Sequence, residues 1–291
     1  MNAYVQPDFT QQCVVLADFA VDALIVEVNL TPKPALVDQR GSGAHDDLTL
    51  ALMQRSAHSL KPMFLKMAQA AFQHRTCSLA LREAIGEIGR AGETVMLETT
   101  GGVNTHRGAI WALGLMVTAA ALKSLTAKSV SAIELCKLAG EIAQLEDRFI
   151  PQQALSHGQY VQKKLGINGA KFQAQQGFPA ITHFGLPTLH KSRKIQGNET
   201  NARIDALLAM MTTLDDTCVL YRSGEAGLAR MQQGAQAVLD LGGYSTVAGN
   251  LYFHVFEKDL LERRASPGGV ADLLAATLFI DSVEQFYFKN K

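Results

Sequence analysis

No excess of either charge runs through this sequence. Its 27 basic and 27 acidic residues balance to a formal net charge of zero over 291 residues. That argues against a non-specific binder of nucleic acid or of an anionic membrane, since both need a basic surplus. A local basic pocket is still allowed. Membrane-length apolar runs are missing as well. The longest, such as Ala109 to Leu122, fall short of a bilayer span. The N-terminus, MNAYVQPDFTQQ, lacks a basic stretch followed by an apolar one, so no secretory signal is expected. Cys13, Cys77, Cys136 and Cys218 are scattered and form no CxxC pair. They read as reduced thiols in a cytoplasmic protein, core filler more than ligands.

Strand signals are also absent. No run alternates apolar and polar residues over a strand's length with hairpin turns beside it. Helical spacing recurs instead. It predicts helices over Thr10–Val28, from Asp46 or Asp47 through LTLALMQRSAHSL to an interruption at Pro62, and on to about Gln73. Further helices are expected over Leu79–Thr100, from Arg107 onward, Val130–Phe149, Leu155–Leu165, and Lys171–Lys194 with a break at Gly177–Pro179. Asn201–Leu214, Glu225–Leu241, Thr246–Arg264 and Pro267–Phe288 complete the set. No internal repeat, low-complexity tract or linker stands out. The expected fold is all-α, one domain over residues 1–291 with about ten to thirteen helices and essentially no sheet.

What the sequence does contain is four polar breaks between apolar helices. The central one is GGVNTHRGAIWALGLM, Gly101–Met116. Its glycines, Asn104, Thr105 and His106 favour a turn, and an apolar helix begins at Arg107. The free N–H groups and positive dipole end of that helix suit a phosphate. The first break is Glu27 with the loop Thr31–Asp47, where Lys33, Asp38, Arg40, His45, Asp46 and Asp47 crowd together. Carboxylates there can hold Mg²⁺, and Lys33 and Arg40 can meet phosphate oxygens. The third is LDDTCVLYRSG, with Asp215, Asp216 and Arg222. An acidic pair beside a core helix is costly unless paired or metal-bound. The fourth is ASPGGVADLLAATLF. Ser266 suits an N-cap, Pro267 a first helical position, and Gly268 and Gly269 let backbone approach a ligand. Asp272 is the single charge between Pro267 and Ile280. Each break alone also reads as a solvated loop or an ordinary cap.

Together these stretches resemble the triphosphoribosyl-dephospho-CoA synthases. The matching pieces are EVNLTPKPALVD, GSGAHDDL, TGGVNTHRGAIWALG, GFPA, LDDT, YRSG and SPGGVADLLAAT, running in order from about Glu27 to Asp281. Their details resemble the malonate decarboxylase branch more than the citrate lyase branch. The resemblance implies an all-α cytoplasmic enzyme that combines ATP and 3′-dephospho-CoA and releases adenine. The product is the precursor of a prosthetic group carried by an acyl carrier protein subunit. The sequence departs from the family pattern at several positions. Ala35 stands where the family usually has Gly, and Thr49 where it has an acid. Cys218, Ser223 and Val270 replace Asn, Gly and Ser. Thr49 removes one possible metal ligand.

The chemistry explains the acids. Ribose C1′ of ATP loses adenine and gains a hydroxyl through an oxocarbenium-like state, which carboxylates stabilise. The intact triphosphate needs Mg²⁺ and cations. Asp47, Glu27 and His106 are the expected catalytic residues, with Asp47 as base. Lys33, Asp38, His45, Asn104, Thr105, Arg107, Arg222, Ser266, Gly268 and Gly269 are expected to bind substrate. Asp215, Asp216 and Asp272 are expected at the metal. The partners implied are ATP, 3′-dephospho-CoA and, downstream, an acyl carrier protein; a homodimer is compatible, nucleic acid and membrane are not expected. Three other readings are weaker. A helical metal-dependent phosphohydrolase needs a metal-binding His upstream of His45, the first His in the chain. An isoprenoid-type synthase needs DDxxD, which neither DDLTL nor DDTCV supplies. A non-catalytic helical scaffold leaves the repeated polar breaks unexplained.

Overall fold

Apolar residues at helical spacing, punctuated by polar caps, produce a helical assembly with no strand among the described residues. The computed structural model describes residues 9–126, 130–150 and 157–289. Its α-helices are α1 (Phe9–Asn29), α2 (Leu50–Ser59), α3 (Lys61–His74), α4 (Leu79–Thr100), α5 (Arg107–Ser124), α6 (Ala132–Gln144) and α7 (His157–Leu165). They continue as α8 (Ala170–Gln175), α9 (Leu186–Gln196), α10 (Glu199–Met211), α11 (Thr217–Asp240), α12 (Val247–Glu262) and α13 (Gly268–Lys289), with a π-helical turn at Ala180–Gly185. The nearest thing to a sheet is one isolated bridge between Asp38 and Gly41. Leu155 and Ser156, at the expected start of the short helix ending at Leu165, lie outside the described residues, as do residues 1–8 of the N-terminus read against a signal.

Helix α5 is the hub. Nearly every side chain from Ala109 to Leu122 is buried, the pattern of a helix surrounded on all sides. It packs against α3, α6, α13, α1 and α4, and α13 in turn packs on α1 and α10. One continuous core runs through these helices. Helix α1 is long and apolar enough to cross a bilayer, a feature the sequence reading passed over. Here it packs on α3 and α13, burying Leu16, Ala17, Ala20 and Leu24.

Several helix ends differ from the sequence expectation, and each has a local cause. Helix α2 starts at Leu50, not at Asp46 or Asp47, because Thr49 is the residue whose side chain accepts the Leu52 N–H. An acid at position 49 would serve the same cap, so Thr49 costs the chain no structural contact. Helix α6 stops at Gln144, where Leu145 turns extended. Asp147 is then free to dock on α4, 2.6 Å from Arg90 Nη1. Helix α11 begins earlier than expected, at Thr217, and is broken at Gly224, whose φ of 66° and ψ of −168° are not helical. Ala35 has φ of 58°, the left-handed region that favours glycine, which accounts for the family's usual Gly at that place.

The α11–α12 contact depends on close approach. A methyl group at Gly234 would overlap the Phe256 ring, and Phe256 is only 3% exposed. Alanine is the better helix former by about 1 kcal/mol, but overpacking a filled core costs about 1–3 kcal/mol. Gly234→Ala is therefore expected to lower the melting temperature. A rise would show that the ring relaxes freely.

Candidate active site

Three helices start at one place, and their free N–H groups meet carboxylates of the chain itself. Asp216 is the N-cap of α11, its Oδ1 accepting from Cys218 N at 2.8 Å and Val219 N at 3.2 Å. Its Oδ2 accepts from Val270 N, in the first turn of α13, at 2.9 Å. Gly269 N also donates to this carboxylate. Two carboxylate oxygens offer about four acceptor positions, and four N–H groups fill them. Asp272 does the equivalent at α5. It accepts from Ala109 N and lies so close to Gly108 that any Cβ there would overlap its Oδ2.

Behind Asp272 sits a buried ion pair. Glu27 near the end of α1 and Lys33 in the following loop meet at 2.5 Å, with side chains 5% and 2% exposed. An ammonium has three donors, and Glu27 takes one. Burial raises the Glu27 carboxyl, and Lys33 pulls it back only in part. Asp272 is pushed well above its ordinary range by burial, then by the charges of Glu27 and Asp216. Burial likewise raises Asp216 against the pull of its four N–H groups. Three carboxyls thus share one corner with a single buried ammonium beside them.

His106, the residue before α5, is 2% exposed. Its Nδ1 lies 2.8 Å from Ser56 Oγ, and Ser56 Oγ lies 2.6 Å from Thr105 Oγ1. The other ring nitrogen, Nε2, is buried with no hydrogen-bond partner. Burial and the Lys33 charge hold the ring near pKa 4, so it is neutral at pH 7. Ser56 escaped the sequence reading because a lone serine inside α2 has no motif around it.

At the mouth stands a second neutral histidine. His45 Nδ1 is 3.0 Å from Arg222 Nη2, and Nε2 is 2.7 Å from Ser266 Oγ. A guanidinium can only donate, so Nδ1 accepts and Nε2–H donates to Ser266. Burial and Arg222 lower this ring to about pKa 4. Asp47 Oδ1 stands 3.7 Å from His45 Nδ1 and is 58% exposed.

The structure thus draws Glu27, Lys33, His106, Asp216 and Asp272 together with Thr105, and places His45, Asp47, Arg222 and Ser266 at the rim. Other expected residues answer elsewhere. Asp38 accepts from Lys33 N at 2.9 Å and Arg40 N at 2.7 Å, and Arg40 links it to Glu257 of α12. It organises its own loop. Asn104 Oδ1 caps Arg107 N at 3.2 Å, and Arg107 pairs with Glu93. Asp215 is exposed beside buried Asp216. Gly268 and Gly269, expected to face a phosphate, have the chain itself beside them. A Cβ on Gly269 would lie 3.0 Å from Asp216 Oδ2, so this glycine admits a carboxylate of the chain. Asp216, expected at a metal, has its acceptor positions occupied by four backbone N–H groups.

Two substitutions separate these aspartates. Asp216→Asn keeps one acceptor oxygen but turns an NH₂ toward backbone donors. Losing a cap and leaving donors unpaired is expected to cost about 1–3 kcal/mol, read as a lower melting temperature. Asp272→Asn removes an ionisable group crowded by two others and is expected to leave stability equal or higher. The sign of its pH effect follows from linkage. Asp272 keeps its proton in the fold at pH values where the unfolded chain, near 3.8, has lost it. Its stabilisation is therefore full below that value and lost as pH rises toward the native one. Asp272→Asn should flatten that fall; an unchanged melting profile between pH 4 and 8 would contradict it.

Comparisons with known proteins bear on this corner. A family model described as ATP:dephospho-CoA triphosphoribosyl transferase matches residues 13–290. A Pseudomonas fluorescens protein named probable 2-(5″-triphosphoribosyl)-3′-dephosphocoenzyme-A synthase is 58% identical over 269 residues, covering 92% of this chain and 91% of that protein. A Pseudomonas savastanoi protein of the same name is 57% identical, with the same coverage of 92% and 91%. Another from Azotobacter vinelandii is 53% identical over 268 residues, again covering 92% and 91%. No solved structure matches the chain. A match along nearly the whole length, together with polar breaks that converge on one acidic corner, places this chain in the ATP:dephospho-CoA triphosphoribosyl transferase family.

Proposed function

We propose that the chain moves the 5-triphosphoribosyl group of ATP onto the 2′-hydroxyl of 3′-dephospho-CoA and releases adenine. The observation that carries this reading is the corner where Asp272 stands between Glu27 and Asp216. The bond from C1′ to N9 of adenine breaks, and its electron pair leaves with the base. A bond from C1′ to the acceptor's O2′ forms, and the hydroxyl proton is lost while adenine gains one. Positive charge builds on the ribose in between. Carboxyls held in a buried site, already repelling one another, are stabilised when that charge develops. Such electrostatic gain is specific to the transition state, as catalysis requires.

Each residue has a task suited to its setting. Lys33, buried and with donors beyond Glu27, suits a phosphate oxygen. His106, neutral and aimed with an unpartnered Nε2, suits a hydrogen bond to substrate rather than donation from a charged ring. Asp47, exposed and 3.7 Å from His45 Nδ1, suits the acceptor of the hydroxyl proton. Arg222 and His45 suit the rim, where the second substrate enters.

Mg²⁺ belongs to this proposal. Among the described residues no group of three or more His, Cys, Asp or Glu stands ready to hold a metal. Magnesium bound with a nucleotide needs only one or two carboxylates, since phosphates and water complete its shell. Asp272, carrying unrelieved negative surroundings, fits that limited demand; Asp216 does not. When bound, the ion would neutralise charge on the triphosphate. The product is proposed to go to the acyl carrier protein of a malonate decarboxylase in the cytoplasm, a reading that rests on the branch the sequence resembles.

The direct test is to incubate the protein with ATP, Mg²⁺ and 3′-dephospho-CoA. Free adenine in equal amount to acceptor consumed is expected. Release of phosphate without adenine would mean a phosphohydrolase, and no release a scaffold. Two variants then test the roles. Asp47→Asn is expected to lower turnover by roughly 10²–10⁴-fold, the range for general base catalysis, with ATP affinity nearly intact. Asp272→Asn is expected to weaken ATP binding in Mg²⁺ and to lose activity. If both variants lose ATP affinity equally, this division of labour is wrong.

A further inference from the structure

None of the residues that form the acidic corner is a tyrosine, phenylalanine or tryptophan, and the first such ring along α11 is Tyr221. Between α7 and the start of α11 runs a groove of about 550 Å³, lined by Tyr160, Lys164, Leu165, Leu220, Tyr221 and Glu225 among others. Its volume falls in the range of small-molecule sites. Tyr160 and Tyr221 meet edge to face with centroids 5.8 Å apart, and they are 44% and 47% exposed. Lys164 Nζ stands 5.6 Å from the Tyr160 ring centroid.

Groove and rim share the short first part of α11, with Tyr221 lining one and Arg222 standing at the other. Tyr221 is five residues beyond the cap Asp216, about 7 Å along the axis at 1.5 Å per residue. The next residue, Arg222, holds His45 at the rim. Any ligand spanning this step touches both.

We propose that this groove binds the adenosine-diphosphate half of 3′-dephospho-CoA, with adenine against Tyr221 and Tyr160 and the diphosphate at Lys164. The inference rests on the transferase reading above. In that reaction the acceptor's 2′-hydroxyl must lie at the acidic corner. The adenine hangs from the adjacent ribose carbon, so it lies close to that corner, and Tyr221 is the first aromatic residue after the cap Asp216 on α11. Charge agrees. Lys164 answers a diphosphate, and Glu225 is an acceptor that suits the exocyclic amine of adenine and repels a phosphate. Aromatic rings stack on a base face. The donor ATP places its triphosphate toward the buried Lys33, which assigns the open groove to the other nucleotide.

Titration calorimetry on the full chain tests this, with 3′-dephospho-CoA and with ATP plus Mg²⁺ measured separately, and KM values beside them. Tyr221→Ala is expected to weaken 3′-dephospho-CoA by roughly 5- to 150-fold, the worth of one stacked base, while ATP affinity changes less than about twofold. Tyr221→Phe keeps the ring and should bind like the parent. Lys164→Ala should weaken 3′-dephospho-CoA and flatten its salt dependence. Tyr160→Ala repeats the test if Tyr221→Ala melts early. Loss of ATP affinity in Tyr221→Ala, or no change for either nucleotide, would overturn the proposal, as would a parent chain that binds no 3′-dephospho-CoA. A parent that binds 3′-dephospho-CoA through Tyr221 yet releases no adenine would sink the transferase reading and leave the groove assignment standing.

Discussion

The structure depends on one carboxylate shared by two helices. Asp216 ends the loop after α10 and caps α11 with one oxygen and α13 with the other. A helix N-terminus buried without acceptors is expensive, since each unpaired N–H costs about 1–3 kcal/mol. Sharing one acid solves that problem for two helices and fixes their starts against each other. Asp272 does the same for α5 from the first turns of α13. The three helix starts are therefore locked by charge as much as by packing.

This arrangement changes how the glycine-rich breaks should be read. In a sequence, glycine before an apolar helix signals an anion site. Here the anions are internal. Gly108 faces Asp272 and Gly269 faces Asp216. Room made for a phosphate and room made for an aspartate look alike in one dimension. The cations nearby are side chains, with Lys33 buried beside Glu27 and Arg222 at the rim.

Much of the fold was legible because helix ends obey local rules. Helix α4 runs from the Ser78 cap to Gly101 in the left-handed region, at the expected limits. Where tertiary contacts intervene, local rules fail. Helix α6 is cut short beside an aspartate whose partners, Arg82 and Arg90, lie on another helix. The site was legible at its acids, since charge inside apolar sequence demands an explanation. Ser56 was not, because its role comes from meeting Thr105 and His106 some fifty residues away. Asp38 shows what a sequence position does not reveal. It sits among site residues in sequence, yet its oxygens serve its own loop and Arg40.

The break at Gly224 divides α11 into unequal parts. The long part is clamped to α12 by contacts such as Phe256 over Gly234. The short part, Thr217–Ser223, bears Tyr221 and Arg222 and is anchored at its start by Asp216. A single residue of non-helical backbone separates them, so the helical hydrogen-bond ladder does not run from one to the other unbroken. The two parts can therefore point along different axes, the short one set by its capping acid and the long one by α12, and they touch where Gly227 lies against Ser223.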